Sequence, residues 1–145
     1  MTLEKEYIEL FKSTVQSERI IDGATARIYD NRIYHLSVPR YKKINMEFVE
    51  KGYEFIKSAG GGRYYNIFEF SSFSDIEPEV REWAADADQN FNTYSDAIVI
   101  GSLSQKIIAD FYMRFNKPVK PTKFFYSLEA AIEWTFEQME KQKKS

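Results

Sequence analysis

The second half of the chain, residues 96–141, alternates between strand-like and helix-like segments. An apolar run, Ala97-Ile98-Val99-Ile100, precedes a helical pattern, and Thr122-Lys123-Phe124-Phe125-Tyr126 precedes a last amphipathic one. Strand, helix, strand, helix with short connections is typical of a parallel α/β sheet, because parallel neighbours need a crossover between them. This half therefore predicts an α/β fold.

The first half adds an antiparallel hairpin. Apolar and polar residues alternate over 24–29 and 34–38, on either side of Asp30-Asn31-Arg32, which predicts two strands and a turn. A helix is expected over 45–58, with Asn45 as its N-cap and the glycines 60–62 ending it. Residues 3–21 fit either a short helix or an edge strand.

Three more helices follow. Ser74 with Glu77 matches a capping box ahead of the second helix. We expect this helix to be buried through Val80, Trp83, Ala84, Ala87 and Phe91. We expect the third to face inward through Ile107, Ile108, Phe111, Tyr112 and Phe115. The final helix, capped by Ser127, has a stripe of Leu128, Ala131, Ile132, Thr135, Phe136 and Met139.

The chain is thus expected to be one domain over 1–145, with an N-terminal hairpin, a mainly parallel sheet, about four helices and a frayed tail at 142–145.

The composition limits the chemistry and the environment. With no cysteine there is no disulfide, thiolate nucleophile or cysteine-based metal site. No apolar run is long enough to span a membrane, and the N-terminus lacks the apolar core of a signal peptide, so a cytoplasmic protein without membrane insertion is expected. A pI of about 5.6 argues against a nucleic-acid partner. The twelve Phe and ten Tyr fit either an aromatic core or an aromatic-lined groove or dimer face.

No group of residues predicts catalysis. The single histidine, His35, falls on the polar side of a predicted strand, and we expect it at the surface. No spacing of histidines and acids predicts a metal site, and no cofactor is expected. The basic and aromatic clusters at 40–43 and 63–65 are too short to predict binding of single-stranded nucleic acid. The chain is therefore expected not to be an enzyme.

Acidic residues concentrate in one segment. Residues 69–96 hold eight acids against a single arginine, in a chain whose net charge is −2. Such asymmetry polarises the surface and orients a partner. The expected contact face is the second helix with its preceding loop, and its residues are Ser71, Ser72, Ser74, Asp75, Glu77, Glu79, Glu82 and Asp86.

A second candidate lies where a parallel strand ends. Ligands of open α/β sheets bind beyond the carboxyl ends of the strands, near helix N-termini. Gly101, Ser102 and Ser104 follow the strand at 97–100 and combine amides with hydroxyls. They are a candidate loop for an anion or small ligand, although helix capping explains the same residues.

The order of elements and two stretches of sequence resemble the STAS domain family of anti-sigma-factor antagonists and sulfate transporters. The first stretch is Tyr65-Asn66-Ile67-Phe68-Glu69-Phe70-Ser71-Ser72-Phe73. The second, from Gly101-Ser102 to Glu133-Trp134, is similar to a group of small uncharacterised bacterial STAS-like proteins. The resemblance covers about residues 20–141 and implies a STAS-like fold.

The resemblance also implies action through protein partners. Antagonists of that family switch partners through a phosphorylated serine in an Asp-Ser-Ser-Gly-type loop, which here corresponds to Glu77-Pro78-Glu79 and lacks the motif. The leading hypothesis is therefore a non-catalytic domain that binds a protein partner or self-associates, without that phosphoswitch; a regulatory role is one that the resemblance implies for such binding. The alternative is a small-ligand or lipid-binding module with a cleft at the C-terminal ends of the parallel strands.

Overall fold

The chain forms one mixed six-stranded sheet, and the computed structural model describes residues 3–86 and 93–144. The strands of the described part are β1 (Val15–Ile21), β2 (Ala24–Tyr29), β3 (Ile33–Val38), β4 (Lys43–Ile44), β5 (Tyr64–Phe70), β6 (Asp75–Ile76), β7 (Thr93–Val99) and β8 (Thr122–Phe125). Their order in the sheet is β1-β2-β3-β5-β7-β8. β4 and β6 form a separate short parallel pair.

The pairing directions agree with the sequence pattern. β1, β2 and β3 are antiparallel, and β3, β5, β7 and β8 are parallel. The predicted α/β fold, the hairpin and the parallel later strands are therefore confirmed.

Helices cover both faces of this sheet. They are α1 (Leu3–Phe11), α2 (Met46–Ser58), α3 (Pro78–Ala85), α4 (Leu103–Phe111) and α5 (Leu128–Lys144), and α4 continues into a π-helical turn at Tyr112–Asn116. One core contains Phe48 and Phe55 of α2, Val80 of α3 and Ala109 of α4. The other contains Phe11 of α1 and the α5 residues Ala131 and Ile132. The sheet is thus the middle of three layers.

The boundaries of α2 follow the local rules that predicted them. The Oδ1 of Asn45 accepts a hydrogen bond from the amide of Phe48 at 2.9 Å, which satisfies one free donor of the first turn. All three glycines after the helix have positive φ, and the amide of Gly61 donates to the carbonyl of Ile56 at 2.9 Å. The glycines end the helix, as predicted.

Other boundaries differ from the prediction. Residues 3–21 contain both a helix and an edge strand, α1 and β1. The capping box was wrong: α3 begins at Pro78 with Glu77 as N-cap and no side-chain cap, because residues 75–76 form β6. The tail was also wrong in part, because α5 continues to Lys144. Ala87 and Phe91, expected in the second helix, lie outside the described residues.

His35 is not at the surface. Its side chain is 0% exposed, and its Nε2 lies 3.0 Å from Oε1 of Glu69. The rings of Tyr7 and Phe11 in α1 pack against it. The prediction was wrong because α1 covers the face of the sheet that the alternating pattern assigned to water.

The inward face expected for the third helix was also wrong in part. Tyr112 is buried and Ile108 is half-buried, as predicted. Ile107, Phe111 and Phe115 are exposed instead. The helix is apolar on two sides, and the sheet covers the side with Ala109.

Candidate functional site

The loops at the carboxyl ends of β5 and β7 lie together. Their link is Gln105 in the first turn of α4. Its Nε2 donates to the carbonyls of Ser71 at 2.8 Å and Ser74 at 3.0 Å. Its Oε1 accepts from the amide of Gly101 at 2.8 Å. One buried side chain thus joins both loops.

The candidate anion loop uses its polar groups internally. The Oγ of Ser102 accepts a hydrogen bond from the amide of Gln105 at 3.2 Å and is the N-cap of α4. The hydroxyl of Ser104 lies 3.4 Å from that of Ser102. With the Gly101 amide also engaged, this geometry is that of a helix cap. A small cavity of about 50 Å³ beside it is lined by Phe70, Ile100 and Gln105, among others.

The serines and Asp75 of the preceding loop differ in accessibility. Ser71 and Ser72 are half-buried, whereas Ser74 is buried and its hydroxyl donates to the carbonyl of Ser71 at 2.5 Å. The Oδ1 of Asp75 accepts from the amide of Ile76 at 2.7 Å. A kinase or partner would thus reach Ser71 and Ser72 more readily than Ser74.

The acids of α3 form an exposed face. Glu79, Glu82 and Asp86 are all exposed, and Glu77 is half-buried. The Nη1 of Arg81 donates to the carbonyl of Ile76 at 2.5 Å, so the segment's arginine turns toward the loop. The acidic character of this face is therefore preserved in three dimensions.

A second surface lies on α4 and has the opposite character. Four exposed apolar side chains recur at intervals of four residues, which places them along one side of the helix and its π-helical extension. They are Leu103, Ile107, Phe111 and Phe115, and we call them the α4 stripe. The rings of Phe111 and Phe115 are 4.7 Å apart. Exposed apolar patches rimmed by polar residues mark interaction sites.

Another exposed aromatic pair joins the loops after β3 and β5. The rings of Tyr41 and Phe73 stack at 5.4 Å and 7°, and the guanidinium of Arg40 lies within 5.6 Å of both centroids. Both aromatic residues have positive φ. The predicted basic and aromatic cluster at 40–43 is thus a compact stack, which Phe73 completes.

A larger cavity than the one beside Gln105 lies between the sheet and helices α2 and α3. Its volume is about 120 Å³, and its walls are mostly apolar. Three polar side chains also line it, from the first halves of β5 and β7: Asn66, Thr93 and Asp96. It therefore lies under the middle of the sheet rather than at the carboxyl ends of the strands.

Asp96, at the wall of this cavity, belongs to a buried ion pair. The Nζ of Lys120 lies 3.1 Å from Oδ2 of Asp96, and the two side chains are 8% and 4% exposed. Burial raises the pKa of Asp96 above its ordinary value, against the opposing effects of Lys120 and of a hydrogen bond from Asn66. Burial also raises the pKa of Tyr53, which lines the cavity, to about 12.

Sequence reasoning missed this cavity. Asn66 lies among apolar and aromatic residues in the first part of β5, whose other polar residue is Glu69, and Asp96 precedes an apolar run. A polar residue inside a buried strand is the signal that would have found it, because buried polar groups require partners.

Residues 3–86 and 93–144 contain neither a metal-binding cluster nor a membrane-spanning helix. No group of three or more histidines, cysteines or acids in these ranges lies close enough together to hold a metal ion. No helix in the same ranges has the length and apolar character needed to cross a membrane.

These features define the class of protein as a three-layer α/β domain with a mixed six-stranded sheet, an exposed apolar helix stripe and a buried polar cluster. Residues 27–138 match the family described as Domain of unknown function (DUF7793). The match covers well over half of the chain, so the chain belongs to this family. No curated protein and no solved structure matches it.

Proposed function

We propose that this protein is a non-catalytic binding domain that acts by self-association through the α4 stripe. The observation that carries the proposal is the exposure of Leu103, Ile107, Phe111 and Phe115 along one side of one helix. Full exposure of such a side chain costs roughly 1.5–3 kcal/mol relative to burial, and each of these four, at 49–75% exposure, carries a part of that cost. A partner surface that covers them recovers this free energy.

The charges around the stripe favour a second copy as the occupant. Lys106 and Asp110 flank it one helical turn apart, and their side chains pair at 2.9 Å. In an antiparallel pair of α4 helices related by a twofold axis near Ile108, each Lys106 lies beside the Asp110 of the other copy. The arrangement is self-complementary, as a twofold interface requires.

The size of the stripe indicates a weak dimer. Residues 103–115 span about 18 Å of helix at roughly 1.5 Å per residue. A standard interface buries roughly 800 Å² per partner. The exposed Tyr126, which directly follows β8 and lies close enough to Lys106 to act on its charge, adds apolar area beside the stripe. We expect a dissociation constant on the order of micromolar.

The placement of the histidine supports a role without catalysis. His35 pairs with Glu69 but is fully buried beneath α1, where a substrate does not reach it. The resemblance to STAS domains, which act through protein partners, favours the same class of function and implies a regulatory role.

Sedimentation velocity over a wide concentration range tests the proposal. Ile107→Glu places a charge in the stripe and should leave only monomer at concentrations where the wild type is dimeric. The matched control is Ile20→Glu, because Ile20 is 64% and Ile107 63% exposed, and β1 is at the opposite edge of the sheet from β8. The control should remain dimeric.

A charge-reversed variant at Glu79, Glu82 and Asp86 tests the acidic face that the sequence predicted for the contact. If this variant is monomeric and Ile107→Glu is dimeric, the contact lies on α3 and the proposal is wrong. A wild type that stays monomeric throughout also contradicts it.

A further inference from the structure

The cavity between the sheet and α2 and α3 has the size and walls of a small-molecule site. Its volume is about 120 Å³, close to the roughly 150 Å³ of an apolar protein cavity that holds benzene. The aromatic residues that line it are Tyr34, Phe48, Tyr53, Phe68 and Trp83. The rings of Tyr53 and Trp83 meet edge to face at 5.5 Å and 79°. Ligand sites are typically apolar, with few polar groups that fix orientation.

Asn66 supplies the polar group. Its Nδ2 donates to Oγ1 of Thr93 and to Oδ1 of Asp96, both at 3.0 Å, so both of its hydrogens are used. The amide orientation follows from the carboxylate, which only accepts hydrogen bonds when ionised. The Oδ1 of Asn66 is therefore left as an acceptor, and no donor in the described parts of the chain bonds to it.

The position of Asn66 gives this acceptor its importance. The residue is 8% exposed and lines the cavity. The Oδ1 atom itself is not sealed off by protein and is reached by water through the cavity. A ligand that brings a donor into the cavity replaces this water at Oδ1 while it buries its own apolar surface.

We infer that this cavity binds a small, uncharged aromatic molecule with one hydrogen-bond donor, which bonds to Oδ1 of Asn66. The ligand is uncharged because Lys120 already balances Asp96 at the wall of the cavity, and a further buried charge has no partner there. The ligand is aromatic because aromatic side chains line the walls. The site is separate from the α4 stripe, and the inference does not depend on self-association.

Phenol and toluene are the matched probes, because a hydroxyl in one replaces a methyl group in the other. In a purely apolar cavity toluene binds more tightly, since it has no polar group to desolvate. Here we expect phenol to bind more tightly, by the roughly twofold to tenfold that one hydrogen bond contributes. Titration of ¹⁵N-labelled full-length protein by NMR measures both affinities and shows which amides shift.

Two variants distinguish the cavity from other sites. Val49 is half-buried and lines the cavity, so Val49→Phe fills it and should abolish saturable shifts by phenol. Val15→Phe is the control, because Val15 is also half-buried but packs on the other face of the sheet, and it should bind phenol as the wild type does. Equal or tighter binding of toluene overturns the role of Asn66. Binding that survives Val49→Phe, or no saturable binding of either probe, overturns the site.

Discussion

Asp96 and Lys120 form a buried pair that contributes to the pH dependence of the protein's stability. Because burial raises the pKa of Asp96 in the folded state, the stability that this carboxyl contributes is full below its unfolded pKa. That contribution is lost as the pH rises through the folded pKa. Lys120 limits the loss, since its ammonium group stabilises the ionised form at 3.1 Å.

We expect Lys120→Met to lower the free energy of unfolding by about 3–5 kcal/mol at neutral pH, because it leaves a buried carboxylate unpaired. The loss should shrink as the pH falls through the raised pKa of Asp96, because protonation removes the charge. Urea denaturation at neutral and at mildly acidic pH measures both values.

The control for this prediction is the double variant Asp96→Asn with Lys120→Met. Both variants lose the hydrogen bond from Lys120 to the carbonyl of Ala84, but the double variant carries no buried charge. It should lie within about 1 kcal/mol of the wild type, because a neutral replacement of a buried pair is often tolerated. An equal loss at both pH values in the single variant would show that the charge of Asp96 is not responsible.

The pair also shows which parts of the site the sequence could not predict. Asn66, Asp96 and Lys120 belong to different segments, and only the parallel pairing of β5, β7 and β8 brings them together. The hairpin and the Asn45 cap were predictable because neighbouring residues determine them. The burial of His35 was not predictable in this way. It depends on α1, which precedes His35 by more than twenty residues and packs on the opposite face of the sheet from α2.

At the scale of elements, Gln105 connects α4 to the ends of β5 and β7. It satisfies the Gly101 amide and the carbonyls of Ser71 and Ser74 with one side chain. A leucine of similar size removes these bonds. The carbonyl of Ser71 keeps its bonds from Ser74, and Gly101 is exposed, so the carbonyl of the buried Ser74 is the group left unpaired, at about 1–3 kcal/mol. The loop over 71–75 and the start of α4 therefore form one unit.

We expect Gln105→Leu to lower the free energy of unfolding by about 1–3 kcal/mol and to speed amide exchange at Ser74, whose own amide donates to Ser71. Hydrogen exchange followed by NMR measures this locally. Ser104→Leu is the matched control, because Ser104 is the preceding residue of the same turn and is exposed. It should change stability by no more than about 0.5 kcal/mol. Unchanged exchange at Ser74 in Gln105→Leu would mean that the loop holds its conformation without this link.

The periodicity of α4 illustrates a second limit of structure prediction from the sequence. Apolar residues lie on two sides of this helix, and spacing alone does not say which side the sheet covers. The structure places Ala109 and Tyr112 against the core and leaves Ile107 and Phe111 in solvent. The surface proposed for self-association is therefore the side that the pattern had assigned to the interior.

For the whole molecule, the main question is whether α1 belongs to the domain. The family match begins at residue 27, so α1 and β1 precede it. Yet Phe11 is fully buried, stacks on Tyr29 at 4.3 Å and packs against His35. The second core, between the sheet and α5, is thus closed by a helix outside the matched region.

We expect Phe11→Ala to lower the free energy of unfolding by about 3–5 kcal/mol, as removal of a buried aromatic side chain does. The control is Phe73→Ala, which removes the same atoms from an exposed ring, and its effect should be close to zero or limited to the loss of one surface stack with Tyr41. Urea denaturation of both variants gives the comparison. If Phe11→Ala were as stable as Phe73→Ala, α1 would be an appendage, and the burial of His35 would depend on α5 and the sheet alone. A large loss confined to Phe11→Ala would instead make α1 an integral part of the fold, because both faces of the sheet then need their helices for the molecule to be stable.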